Sequence, residues 1–243
     1  MGVWDITLIF AVAVQATVIA YVHDPRWKGV LYVLPVPFSL AVLALGKPIG
    51  TDHALGLPMV LLFAHAVRWL HVNGRLPIVP AIVLAALGYC LIAGTVVRLV
   101  PPGEAPFWIA LAAAGILGAL LHRYLPHREE RGHRSPLPLP LKFVLVAGVI
   151  CAVLAMKHWL QGFMAFFPMV GVVAAYEARH SLWTWARPIP AWMITMIPML
   201  VACRLAQPHL GLGGALALGW ALFLPGFALL CRYRGRAEAE AEG

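Results

Sequence analysis

Nine runs of apolar residues, each parted from the next by a short polar or Pro/Gly-rich turn, leave this chain few ways to fold. They lie at approximately 4–22, 29–46, 53–71, 77–99, 105–122, 141–157, 160–178, 190–206 and 210–231. A helix rises about 1.5 Å per residue, so a run of about 17 residues or more reaches across the hydrocarbon of a bilayer. A soluble domain carries about a quarter charged residues and about half apolar ones. Here charged residues make up 12 % and hydrophobic residues 62 %, with a mean hydropathy of +0.84. No water-soluble core needs that much apolar surface, and lipid is the solvent that accepts it. The expected fold class is all-α: a polytopic helical membrane protein of about nine transmembrane helices.

Charge then orients the runs. With the N-terminus outside, the inner side holds Arg26, Lys28, Arg68, Arg75, Arg123, Arg128, Arg131, Arg134, Lys142, Arg179, Arg187, Arg232, Arg234 and Arg236. The outer side keeps only Lys47, Arg98, Lys157 and Arg204. Fourteen cations against four is the asymmetry that the positive-inside rule describes, and removing any one span would scramble it. The expected location is the cell membrane, with the N-terminus outside and the C-terminus cytoplasmic. Asp5 precedes the first run and the first Lys or Arg is Arg26, a poor signal peptide, so that run reads as a retained helix. The net charge of +8 does not point to nucleic acid, because the cations sit between runs rather than in one basic patch. The bilayer is the expected partner, a small-molecule solute is a further one, and the oligomeric state stays open.

Two of the runs carry the same signature. Gly29 to Pro35 in GVLYVLPVPFSLAVLALG is matched by Gly162 to Pro168 in GFMAFFPMVGVVAAYEARH. A proline inside a span removes one helix hydrogen bond and invites a break. Aligning 141–231 with 4–99 also pairs Arg68 with Arg204 and Gly88 with Gly219. The expected organisation is a first four-helix repeat at 1–100, a connecting helix and basic cytoplasmic loop at 101–140, a second four-helix repeat at 141–231 and a charged tail at 232–243. Four spans, one connecting span and four more set the halves in opposite orientations. Such inverted repeats recur in secondary transporters, where discontinuous helices meet near the midplane and line the site.

The candidate substrate-binding residues follow from this plan. Pro35, Pro37 and Pro168 free carbonyls one turn earlier, and Ser39 follows on the same helix. Each proline can equally be a plain kink. Glu177 and His180 in YEARHS are three apart, the spacing that puts two side chains on one helical face. A solvated helix end beside the interfacial Trp183 and Trp185 explains them as well. Asp52 and His53 open the third run, where an Asp is an ordinary cap; the functional alternative is a gate or proton acceptor at the outer entrance. Arg68 and Arg204 are ionisable groups within spans. Arg204 is the better candidate because the charge rule disfavours its side, and an anionic substrate group would suit it.

Enzyme signatures are missing: there is no GxSxG, HExxH, Walker or paired DxxxD motif. Cys90, Cys151, Cys203 and Cys231 stand singly, with no metal-ligand spacing, and read as small buried hydrophobes. No cofactor and no metal are expected. The leading expectation is a secondary transporter or permease for a small solute, its site between the second and seventh spans. The alternatives are a membrane-embedded enzyme acting on a lipid or isoprenoid headgroup, and a non-catalytic subunit of a larger complex.

Overall fold

Prolines, glycines and turn residues cut the apolar runs into helices. A computed structural model describes residues 2–125, 130 and 139–242; within them helix accounts for 84 % and no strand occurs. Most of the basic linker, 126–129 and 131–138, lies outside the described residues.

The chain begins with α1 (Val3–Tyr21), followed by α2 (Pro25–Tyr32), α3 (Val36–Leu45) and α4 (Thr51–Arg68). The end of α4 widens into a π-helical turn, Trp69–Asn73, before α5 (Ile78–Leu99) and α6 (Glu104–Tyr124). After the linker come α7 (Leu139–Ala155), α8 (Lys157–Leu160), α9 (Phe163–Phe166), α10 (Met169–Glu177), α11 (Leu182–Ala186) and α12 (Ile189–Glu242). Among the described residues, five stretches are long and apolar enough to cross a membrane: Val3–Tyr21, Thr51–Asn73, Ile78–Leu99, Glu104–Tyr124 and Leu182–Leu229. Three shorter apolar stretches, Val30–Leu45, Val146–Ala155 and Phe163–Glu177, complete the bundle.

Two departures from the expected runs have physical causes. The runs 29–46 and 160–178 are not continuous helices. Pro35 ends the first before α3, and Pro168 stands between α9 and α10. The turn expected at AQPHLG, between 190–206 and 210–231, is shorter than its composition suggests. Helix runs on through Pro208, and α12 breaks only at Gly211, where φ 66° and ψ 174° lie outside the helical region and suit glycine.

α4 is the hub. Ala54, Leu57, Leu61, Ala64 and Val67 are buried along it, and it packs against α5, α6 and α9. α1 packs against α3, α7 and α10, and α12 against α6. On the outside, Phe10, Leu91, Ile109 and Ile116 are each more than 60 % exposed in mid-helix. Water would penalise such a surface by about 25 cal/mol per Å², and acyl chains would not.

One end of the bundle is stitched by polar contacts between distant parts of the chain. The Lys157 ammonium lies 3.4 Å from the Asp5 carboxylate, and the Thr51 hydroxyl donates to the Gly103 carbonyl at 3.3 Å. At the opposite end of α4, Trp183 is held between two side chains one turn apart, with the Arg68 guanidinium 4.5 Å above its ring and the His65 ring stacked at 6.2 Å. The Glu130 carboxylate accepts the Trp183 and Thr184 amides at 2.8 and 3.1 Å, tying the linker to the start of α11.

Candidate functional site: the crossing of two broken helices

The sequence LPVP dictates the first break. In an α-helix the amide of residue i donates to the carbonyl of residue i−4. Pro35 therefore strips the donor from the Leu31 carbonyl, and Pro37 strips it from that of Val33. The Leu31 carbonyl is recovered by a side chain from another helix: Gln15 Nε2 on α1 donates to it at 2.8 Å. No donor reaches the Val33 carbonyl among the described residues. Pro35, with φ −79° and ψ 32°, then caps α3, and its own carbonyl accepts both the amide and the hydroxyl of Ser39 at 3.0 Å.

The second break repeats the device. Pro168 has φ −75° and ψ 58°, an inverse γ-turn closed by a 2.7 Å bond from the Met169 amide to the Phe167 carbonyl. The Pro168 carbonyl accepts the Val172 amide at 3.0 Å and so begins α10. Upstream, the Phe167 amide turns to the Met164 carbonyl instead of reaching Phe163. A side chain again fills the gap: the Tyr89 hydroxyl on α5 donates to the Phe163 carbonyl at 2.7 Å.

These breaks face each other across a cavity of about 40 Å³. Its walls are residues 32–35, 37–38 and 165–170, with Val60 from α4 and Trp192 from α12. The Phe38 and Phe166 rings lie 4.8 Å apart beside it, and Trp192 stands edge-on to Phe166 at 5.8 Å. Two of the lining residues, Tyr32 and Trp192, carry a buried polar atom with no hydrogen-bond partner, the phenol oxygen and indole Nε1. A third such atom, Trp185 Nε1, belongs to the ring packed 5.0 Å from Tyr32. Buried polar groups are nearly always satisfied, so such a cluster needs an explanation. A molecule in the cavity would supply one. At about 10–15 Å³ per water centre, the space holds about three waters. Gly171 permits the close approach here, since a Cβ would stand 2.8 Å from the Tyr32 oxygen and 2.9 Å from Pro168 Cβ.

The start of the second broken segment is pinned by a carboxylate. The Gly162 amide donates to Asp52 Oδ2 at 2.7 Å, and a Cβ on Gly162 would collide with Asp52 and His53. Asp52 Oδ1 in turn lies 2.9 Å from His53 Nδ1.

Of the residues singled out from sequence, Pro35, Pro37 and Pro168 come together in the cavity wall. Ser39 lies one turn behind, its hydroxyl accepting the Trp220 indole at 2.8 Å while donating to Pro35. Glu177 is fully buried at the last turn of α10, whereas His180 is exposed in the turn beyond it. The helix ends at Glu177, so the shared face expected from their spacing is not formed. Arg204 is no part of the cavity wall and is already engaged: its guanidinium donates to the Ile49 carbonyl at 2.6 Å and pairs with the Glu104 carboxylate. Gln207, three residues on, accepts the Ile49 amide at 3.0 Å, so α12 clamps both backbone groups of Ile49. Within the chain, the partner of Arg204 is the Glu104 carboxylate. Sequence reasoning did not single out Gln15, Tyr32, Tyr89 or Trp192. The only signal for Gln15 was an uncharged amide within an otherwise apolar first run.

No protein family matches this chain, and no curated protein and no solved structure matches it.

Proposed function

We propose that the chain is an integral membrane permease that passes a small uncharged solute through the crossing of its two broken helices. The observation that carries this reading is the cavity itself: the two helix breaks wall one space together with Tyr32 and Trp192, each of which has a buried polar atom with no hydrogen-bond partner. Its lining holds no carboxylate, ammonium, guanidinium or imidazole. A charged solute would enter such a wall uncompensated, at a cost of several kcal/mol, so the wall favours a neutral one. The space is small, about 40 Å³, and movement of either half would admit a larger molecule.

The same reading takes the chain across the bilayer nine times, as inverted repeats of four helices joined by α6. Supporting this are the matched breaks, each with a proline cap and a carbonyl rescued by another helix. Also in favour, the contacts Asp5–Lys157, Thr51–Gly103, Asp52–Gly162 and Arg204–Ile49 join at one end the segments that nine crossings would bring there.

Flux in proteoliposomes tests it. Purified protein should accelerate shrinkage or swelling of vesicles challenged with small neutral solutes such as urea or glycerol. Ala165→Phe, which fills the cavity, should abolish the gain, and Tyr32→Phe should reduce it severalfold, with both variants keeping the wild-type elution profile. Equal flux in wild type and Ala165→Phe would rule out this route.

One observation favours a second reading, a non-catalytic subunit. A cavity of about 170 Å³ opens between α4 and α5, lined by Met59, Leu62, Leu84, Gly88 and Ile92, with Leu62 and Leu84 about half exposed. A partner helix would fit there. That reading predicts no flux and a stable heteromeric complex that Gly88→Trp disperses.

A further inference from the structure

The groove between α4 and α5 has a cation at one end, held there by an unusual turn. The groove, about 170 Å³, runs along α4 from Met59 to Leu70 and along α5 from Leu84 to Ile92. At about 1.5 Å per residue, its α4 side is about 16 Å long. Every lining side chain is apolar except for the Tyr89 hydroxyl, and that already donates to the Phe163 carbonyl. Leu62, Leu84 and Ile92 are each more than 40 % exposed, so the groove opens on the outside of the bundle, where acyl chains would lie.

The Leu70 end of the groove meets a turn that folds back on it. The π-helical turn Trp69–Asn73 ends there, and the Gly74 amide donates to the Trp69 carbonyl at 2.9 Å. The Leu76 amide then returns to the Leu70 carbonyl at 3.0 Å, and His71 Nδ1 lies 2.8 Å from the Leu76 carbonyl. Glycine is needed at 74, since a Cβ would stand 2.7 Å from the Leu70 carbonyl oxygen. Arg75 takes φ 53°, in the left-handed region that glycine or asparagine enters at lower cost. Strained backbone of this kind lowers stability, so an arginine there needs a reason. Its side chain is exposed, and among the described residues no carboxylate pairs with it and no hydrogen bond engages it. Arg68, at the same end of α4, is already stacked on Trp183. Trp69, 62 % exposed beside Leu70, is the residue type that settles at headgroup depth.

We propose that the groove and Arg75 together bind one anionic phospholipid, with an acyl chain along α4 and α5 and the phosphate at Arg75. Charge supports this occupant: a guanidinium with no partner in the chain complements a lipid phosphate, which it can meet with two parallel hydrogen bonds. Shape supports it too. A partner helix is about 10–12 Å wide and over the same length would need many times the volume of the groove. Only its side chains could enter, whereas a single extended acyl chain follows the whole length. The site stands whether or not the chain is a permease, and it takes the place that the subunit reading gives to a partner. The acyl chain lies against the Tyr89 ring, which is edge-on to Phe167 at 5.3 Å and whose hydroxyl holds the Phe163 carbonyl. Lipid therefore buttresses the residue that secures the second break.

Native mass spectrometry of the full chain tests the site, with phosphatidylglycerol and phosphatidylcholine of the same acyl chains offered in detergent at equal concentration. Wild type should retain one phosphatidylglycerol about fivefold more tightly than phosphatidylcholine, the effect of about one cation on an anionic lipid. Arg75→Asn, which suits the left-handed backbone, should lose that preference, and Arg75→Lys should keep most of it. A Cβ on Gly88 meets nothing within 4 Å, so Gly88→Trp can fill the groove and should weaken retention of both lipids alike. Ala66→Leu serves if Gly88→Trp fails to fold. Equal retention of the two lipids by wild type, or retention unchanged in both Arg75→Asn and the groove-filling variant, would overturn the proposal. So would a co-purifying protein that Gly88→Trp releases, because the groove would then hold a partner helix and no lipid.

Discussion

At the scale of single residues, the two breaks survive because other helices supply donors to carbonyls that the breaks leave open. Tyr89 donates to the Phe163 carbonyl and Gln15 to that of Leu31. Tyr89→Phe deletes only the hydroxyl and strands a buried carbonyl, a loss of about 1–3 kcal/mol. Thermal unfolding in detergent should show a lower midpoint for Tyr89→Phe and for Gln15→Leu, with exchange rising at 160–168 in the first and at 29–35 in the second. If either change is silent, its carbonyl is satisfied some other way. Neither rescuer was legible in the sequence, because each lies in a different helix from the carbonyl it serves. Arg204 shows the converse. Its position on the cation-poor side made it conspicuous, but its partners Glu104 and Ile49 are 100 and 155 residues away. A charge inside a span declares that it needs a partner, and it does not say whether that partner is a ligand or the chain itself.

At the scale of the helix, the pair of Gly-x5-Pro segments was legible because proline acts locally, on the carbonyl one turn before it. The cavity they share was not, since nothing in either segment says that the other lies against it. Pro168→Ala separates the break from the residue that causes it. The new amide can donate to the Met164 carbonyl, and 163–177 can straighten into one helix. Stability should hold within about 1 kcal/mol or rise, because alanine is the better helix former by about 3 kcal/mol. Solute flux should fall to background as residues 165–170 leave the cavity wall. Pro198 lies inside α12 and is no part of that wall, so Pro198→Ala should keep its flux. Loss of flux in both variants would make proline itself, rather than this break, the requirement. α12 marks where local signals failed: Pro208 and its neighbours read as a turn, yet helix continues to Gly211, whose backbone reaches values a side chain would resist.

At the scale of the whole molecule, the question is how many times the chain crosses the bilayer. Length and composition alone license five crossings, because a broken helix is shorter than a span and Leu182–Leu229 counts once although Gly211 divides it. The charge count asks for nine. The two counts agree if α2 with α3, and α9 with α10, each cross as one discontinuous span, and if α7 and both parts of α12 cross singly. Residues 47, 102 and 158 then share the outer face, and residues 73 and 180 the inner one. Cysteine labelling decides this once the native cysteines are replaced by alanine. Cys90 and Cys203 are buried and Cys151 is exposed on the surface of α7, so their removal should cost little beyond local packing. In sealed, right-side-out vesicles a membrane-impermeant maleimide should label Lys47→Cys, Pro102→Cys and His158→Cys. Asn73→Cys and His180→Cys should react only after the vesicles are opened. Labelling of residues 47 and 73 from the same side would mean that α4 does not cross, and the opposed halves would fall with it. The distinction bears on mechanism, because only opposed halves bring two breaks to one depth from opposite faces.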